Sequence, residues 1–278
     1  QAIATLGQMF PGRFWSALGT GQLMNEHVTG ERWPRKEVRQ RRLEECVDII
    51  SRLLDGDTVS HEGLVSVDEA RLWEHPEPKP KLITPALSPE TAARGAAWGD
   101  GVATINMDAA TMREILAAWD DAGGTPHKIL QLHLSWAPTD DEAYAIAHDQ
   151  WRSNVLPAPA SLDLTTAGLD AVSADGVAEE QVRGAVVVAS DMGELAQRIH
   201  DFVGLGFDTV YLHHVGQHQR AWIEAAGEHL LPRLRSCPRA PARAGGGFDG
   251  RSLALAAQPA KGVGRAHCAG SGWFRPRR

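Results

Sequence analysis

Apolar runs of two different periods alternate along this chain, and that alternation restricts its possible folds more than any other feature. Short runs of period two read as strands, and longer runs of period near 3.6 read as helices. Residues 128–137 are the clearest strand: Leu130, Leu132 and Leu134 fall on one face, Gln131, His133 and Ser135 on the other. Just before it, Met112, Ile115, Leu116 and Trp119 share a helical face behind Asp108, an N-cap residue. Strands that are each followed by a helix call for parallel pairing through crossovers. A (β/α)8 barrel and a doubly wound sheet both satisfy this. The strands of a doubly wound sheet are covered on both faces and read as continuous apolar runs, whereas residues 128–137 keep one polar face. Tyr211 and His213, set against Val210 and Leu212, repeat the pattern. The expectation is an α/β barrel with leucines turned out to the helices and polar groups turned into the interior.

Five such strands can be counted, at residues 13–18, 81–86, 101–106, 128–137 and 208–214. A helix follows Trp33-Pro34, with Leu43, Val47, Ile50 and Leu54 as its stripe and Gly56 as its stop; a small hairpin over 58–73 turns near Glu62-Gly63. Further helices are expected over 90–98, from Asp108 to Gly123-Gly124, and from Thr139, which forms a capping box with Glu142, to Arg152. Another is expected behind Ser190, carrying Leu195, Ile199, Phe202 and Val203, and a last one over 218–234. Residues 153–187 lack periodicity and read as an insertion loop with one short helix. A complete barrel needs eight strands, so the body, residues 1–235, is expected to be a barrel lacking three. Residues 236–278 are dense in Gly, Ala, Pro and Arg, and are expected to be a disordered basic tail.

Composition narrows the classes of partner. The tail carries eight basic residues (Arg239, Arg243, Arg251, Lys261, Arg265, Arg275, Arg277 and Arg278) against one acid, Asp249. That surplus of seven within a net charge of -7 leaves the body at about -14. An acidic body argues against nucleic acid and anionic membranes as partners. No apolar run reaches the ~18 residues of a membrane span and no signal peptide opens the chain, so a cytoplasmic protein is expected. Cys46, Cys237 and Cys268 lie far apart without C-x-x-C spacing, giving neither a disulfide framework nor a zinc site. Cys46 is expected to face the core. Adjacent residues of a strand point to opposite faces, so His213 and His214 cannot share a metal ion, and no metal site is expected. His133 and His213 read as walls of a substrate pocket or as satisfied core histidines.

The stretch from Phe10 to Glu31 gathers polar side chains just beyond a strand end, where barrels place their ligands. Its Phe10-Pro11-Gly12-Arg13 and Gly19-Thr20-Gly21, with Asn25-Glu26 after a three-residue gap, resemble the fourth-strand region of the bacterial luciferase-like flavin and deazaflavin oxidoreductases, which implies that the three strands the barrel lacks are its first three. The resemblance is closest to the branch related to coenzyme F-420-dependent glucose-6-phosphate dehydrogenases, including relatives that use an ordinary flavin. It runs over about residues 4–235; Gly204-Leu205-Gly206-Phe207-Asp208 before Tyr211-Leu212-His213 looks like the family's last strand. The resemblance implies an oxidoreductase that moves a hydride or electrons between FMN or F-420 and a small organic substrate, with association of two copies as an expectation. Thr20, Gly21 and Asn25 match positions along the cofactor ring; Ala86, Leu87 and Ser88 match the loop that grips its phosphate-bearing tail, and Asn106 follows the next strand as a further cofactor residue. Gln22 stands where the sugar-phosphate enzymes have a proton-donating glutamate, and His27 is the neutral-pH proton carrier beside it; these two are the candidate catalytic residues. Asn25 and Glu26 also read as helix-capping residues. Asn106, Met107 and Asp108 replace the family's phosphate-binding lysine, which argues against glucose 6-phosphate as substrate. The competing class is a non-catalytic subunit that keeps the second half of the barrel.

Overall fold

The strand–helix alternation yields, in the computed structural model, a curled parallel sheet with helices on its outer side. The structure describes residues 1–156, 160–174 and 176–236. The elements, in order, are α1 (Ala2–Met9), β1 (Trp15–Ala17), α2 (Leu23–Glu26), α3 (Lys36–Leu54), the hairpin β2 (Val59–Glu62) and β3 (Ser66–Ala70), β4 (Lys81–Pro85), α4 (Pro89–Gly95), β5 (Val102–Ile105) and α5 (Ala109–Asp121). Then come β6 (Lys128–Trp136), α6 (Asp140–Trp151), α7 (Thr166–Ala174), α8 (Glu179–Ala185), β7 (Val187–Ala189), α9 (Met192–Gly204), β8 (Thr209–His214), α10 (Gln219–Ala225) and α11 (Leu231–Ser236).

The sheet runs β1-β4-β5-β6-β8, all parallel, which are the five expected strands. A sixth, β7, pairs with Leu134, Ser135 and Trp136 of β6. Leu134 also pairs with β8, so β7 and β8 flank β6 on opposite sides, and β7 extends the line of β5. Among the described residues β1 and β8 do not pair with each other. The sheet is an open half-barrel, curled far enough that Trp15 Nε1 donates to Tyr211 Oη at 3.2 Å across its inner face.

The outward leucines hold this sheet to its helices. Leu130, Leu132 and Leu134 are fully buried, with Met112, Ile115 and Trp119 of α5 and Leu195 of α9 in the same cluster. Each such side chain contributes about 1.5–3 kcal/mol of burial. Trp119 is locked further: its Nε1 donates to Thr125 O at 2.6 Å, and Gly124 leaves room for its ring, since a Cβ there would meet it at 2.3 Å. A smaller cluster joins Ala143 and Ala147 of α6 to Val182, Val186 and Val188, and a third joins α1 and α3 through Ala4, Val47, Leu54 and Leu82. The hairpin turns where expected and is tied to α3 by Glu45 Oε2, which accepts from His61 Nε2 at 3.0 Å and Val65 N at 3.3 Å.

Asp108 and Thr139 cap their helices, each side chain accepting the backbone N–H three residues on. At Thr139 this is one half of the expected capping box; the return bond from Thr139 N–H to the Glu142 side chain is not among the hydrogen bonds of the described residues. Three readings need correction. Asp191, not Ser190, caps α9, accepting from Glu194 N at 2.8 Å, because a carboxylate at that position outcompetes the neighbouring hydroxyl. The described part of residues 153–187 holds two short α-helices, α7 and α8, and β7 begins at its end; each helix buries so few residues that no stripe shows. The last helix is interrupted by a π-turn over Ala226–Leu230. Apart from Ser236, the last residue of α11, the expected tail lies outside the described residues.

Candidate functional site

Residues paired across a parallel ladder share a face, so the register Gln131↔Tyr211 and His133↔His213 sets four polar side chains together on the inner surface. His133 is 6% exposed. Its Nε2 lies 3.0 Å from Gln131 Nε2, so the amide donates and the ring accepts. Its backbone N–H donates to Asn106 Oδ1 at 2.7 Å, while Asn106 Nδ2 donates to Ala185 O at 3.0 Å. Asn106 thereby ties the ends of β5 and α8 to β6, and both ends of its amide are engaged.

The wall is completed by a residue the sequence reading passed over, Trp151. Ala143, Ala147 and Trp151 recur every four residues on one face of α6, and that stripe carries the indole over the inner surface. Its ring centroid is 4.7 Å from that of His133 and 5.3 Å from that of His213, and the two imidazoles are 5.2 Å apart. Burial, with His213 beside it, pushes His133 down to about 4; burial also lowers His213. Both rings are therefore neutral near pH 7. His214 points the other way, toward Trp222 at 5.6 Å, as strand alternation requires.

A second group sits past β1. Gly21 takes φ +80°, a conformation that favours glycine, and a Cβ there would meet Glu26 Oε1 at 2.8 Å. Gln22 precedes α2 and accepts from Asn25 Nδ2 at 3.4 Å, and His27 Nδ1 donates to Leu23 O at 2.9 Å. All three side chains are exposed. Thr20 and Gly21 line a cleft of about 380 Å³ against Arg39, Arg42 and Cys46 of α3. Cys46, expected to face the core, is half-buried and borders this cleft.

In the third group, after β4, Ala86 is fully buried with its N–H donated to Ala103 O at 2.9 Å, and Ser88 Oγ accepts from Thr91 N at 3.3 Å as the cap of α4. Leu87, between them, is half-buried.

The structure thus brings His133, His213 and Asn106 together, and separately Gln22 with Asn25; no hydrogen bond joins the two groups among the described residues. The inserted segment reaches from one toward the other. Asp163, which follows Trp151 in the chain, accepts from Trp33 Nε1 at 2.7 Å and lies 3.3 Å from Arg39 Nη1, at the start of α3. No local signal marks such a contact. Among the described residues no group of three or more His, Cys, Asp or Glu could hold a metal ion, and no helix is long and apolar enough to cross a membrane.

Known proteins are similar to this chain in sequence and fold. An F420-dependent glucose-6-phosphate dehydrogenase of Microbacterium testaceum is 31% identical over 245 residues, 84% of this chain and 73% of that protein. One from Segniliparus rotundus is 30% identical, over 85% of this chain and 73% of that protein. An F420-dependent secondary alcohol dehydrogenase, solved with an F420-acetone adduct, superposes with a TM-score of 0.74 at 26% identity, over 84% of this chain and 73% of that one. The F420-dependent tetrahydromethanopterin reductase of Methanopyrus kandleri shares the fold at 17% identity and a TM-score of 0.66, over 84% and 77% of the two chains. The sequence pattern of the luciferase-like monooxygenases matches residues 1–209, and with these relatives it establishes that the chain belongs to that family of α/β-barrel oxidoreductases.

Proposed function

We propose that this chain is an oxidoreductase that exchanges a hydride between a flavin-type cofactor, F420 before FMN, and a small substrate without phosphate. The observation that carries the substrate half is the wall of Trp151, His133 and His213: a buried surface whose titratable groups are held neutral. The loops after the strand ends, residues 18–22, 86–88, 106–108, 137–139, 190–191 and 215–218, contain no lysine or arginine. These loops themselves therefore offer no lysine or arginine to a phosphate; the nearest arginines of the first cleft, Arg39 and Arg42, stand across it on α3. Relatives of about 30% identity are named for glucose 6-phosphate, but the site chemistry of this chain favours an uncharged substrate, as in the alcohol dehydrogenase of similar fold.

The chain's residues fit part of the cofactor. A flat ring suits the inner surface, where Ala17 and Ala103 are small and Gly21 lets the backbone come close. The ring supplies the hydride chemistry when bound. Thr20, Gly21 and Asn25 border it; Gln22 and His27 stand beside it as hydrogen-bonding groups; Trp151 excludes water from its substrate side. The tail is held less firmly. Ala86 N–H and Ser88 Oγ are engaged in the fold, leaving the backbone of Leu87 and Ser88 as the contacts for a phosphate. Asn106 shapes the site by holding His133.

The acidic body and the absence of a membrane-crossing helix among the described residues support a cytoplasmic enzyme with no nucleic-acid or membrane partner. Among the described residues no strand pairs with the outer edges of β1 and β8, which supports association of two copies. The test is equilibrium titration of the purified chain with F420 and with FMN, followed by cofactor fluorescence. Saturable binding of either supports the reading, tighter for F420; failure of both would favour a non-catalytic subunit.

A further inference from the structure

The tautomer of His213 follows from its surroundings, and it assigns the residue a task. His213 Nδ1 is sealed from solvent and has no hydrogen-bond partner. The ring packs edge-to-face with His133, at 76°, and with Trp151, at 74°, contacts that restrain its rotation. A neutral imidazole carries its proton on one nitrogen. Sealing an unpaired N–H away from water is the rarer and costlier arrangement, and an unpaired acceptor is better tolerated. The proton therefore sits on Nε2, on the half-buried side of a residue that faces the inner surface. Among the described residues no group accepts it. His133 is arranged the other way, with Nε2 accepting from Gln131 and its proton on Nδ1.

We infer that His213 Nε2–H, fixed by Trp151 and His133, is the hydrogen-bond donor for an oxygen of the substrate. In a wall held neutral, such a donor suits the oxygen of an alcohol or carbonyl compound. The inference deepens the functional reading above and rests on it for the identity of the ligand. A ring already protonated at the atom facing the site cannot take a proton from an alcohol, so His213 binds and orients the oxygen and is not the base.

Two experiments test this. The first needs neither cofactor nor turnover: nitrogen-15 NMR of the imidazoles at neutral pH is expected to show His213 as the Nε2–H tautomer, and an Nδ1–H tautomer would overturn the inference. The second uses the F420-loaded protein with 2-propanol as probe. His213→Phe keeps the edge-to-face packing and removes the donor. It is expected to raise KM by up to about tenfold, the worth of one hydrogen bond, with cofactor affinity unchanged. His213→Gln, which restores an N–H, is expected to recover part of the loss. An unchanged KM in His213→Phe, or a collapse of kcat at constant KM as for a lost base, would overturn it. Loss of cofactor binding in the wild-type chain would refute the functional reading while leaving the tautomer result standing.

Discussion

Replacing Asn106 by alanine separates two roles that the residue could have. As a cofactor ligand alone, Asn106 would cost affinity and leave the empty protein as stable as before. The geometry instead gives it two backbone partners, His133 N–H at 2.7 Å and Ala185 O at 3.0 Å, and a side chain only 7% exposed. Asn106→Ala strands both. A buried group left without its partner costs about 1–3 kcal/mol. His133 is deeply buried and recovers no water, whereas Ala185 is half-buried and its carbonyl recovers some, so the sum is about 2–4 kcal/mol. At about 2–4 °C per kcal/mol for a chain of this size, Tm should fall by about 5–15 °C. The assay is thermal unfolding of the cofactor-free protein by circular dichroism, wild type against Asn106→Ala. A Tm within about a degree of wild type would refute the bracing role and return Asn106 to the cofactor.

Other outcomes follow from single contacts. Gly95→Ala sets a Cβ 2.1 Å from Thr84 Cγ2 and should destabilise by at least about 1–3 kcal/mol in urea unfolding, whereas Gly184→Ala in α8 meets nothing within 4 Å and should stabilise by about 0.5–1 kcal/mol. His133 titrates at about 4 when folded and near 6.5 when unfolded, so the unfolded chain binds the proton first on acidification. Its contribution, at most about 3 kcal/mol, is intact above pH 6.5 and lost as pH falls toward 4; His133→Phe should flatten stability between pH 7 and 4.5, and an unchanged slope would count against a buried neutral ring. Asp163→Ala removes the acceptor that Trp33 and Arg39 share, and limited proteolysis should then cut residues 152–165 faster while α5 and β6 stay protected.

What the sequence made legible was local. Leu130, Leu132 and Leu134 declare their strand because a buried face and a two-residue period leave no alternative, and Asp108 and Thr139 declare their helices because a capping bond spans three residues. Ser190 was misread as a cap because Asp191 stands next to it with the same chemistry. The site was legible by half. Strand alternation placed His133 and His213 on one face, but the lid they share, Trp151, comes from a helix whose period-four stripe of Ala143 and Ala147 is easily taken for ordinary packing. Asn106 looked like a ligand from its place at a strand end; that its amide is engaged by β6 and α8 depends on partners 27 and 79 residues away. The Asp163–Trp33 contact spans 130 residues and has no local trace.

The central claim is hydride exchange between a bound deazaflavin or flavin and an uncharged substrate, and it is met most directly by one kinetic measurement. The purified chain is mixed with oxidised F420, and in parallel with FMN, and the cofactor's absorbance is followed on addition of 2-propanol or of glucose 6-phosphate. The expected result is bleaching of the F420 band with 2-propanol and little or none with glucose 6-phosphate. Bleaching with glucose 6-phosphate alone would contradict the reading of the strand-end loops, and no change with either cofactor and either substrate would contradict the assignment of this site to hydride exchange.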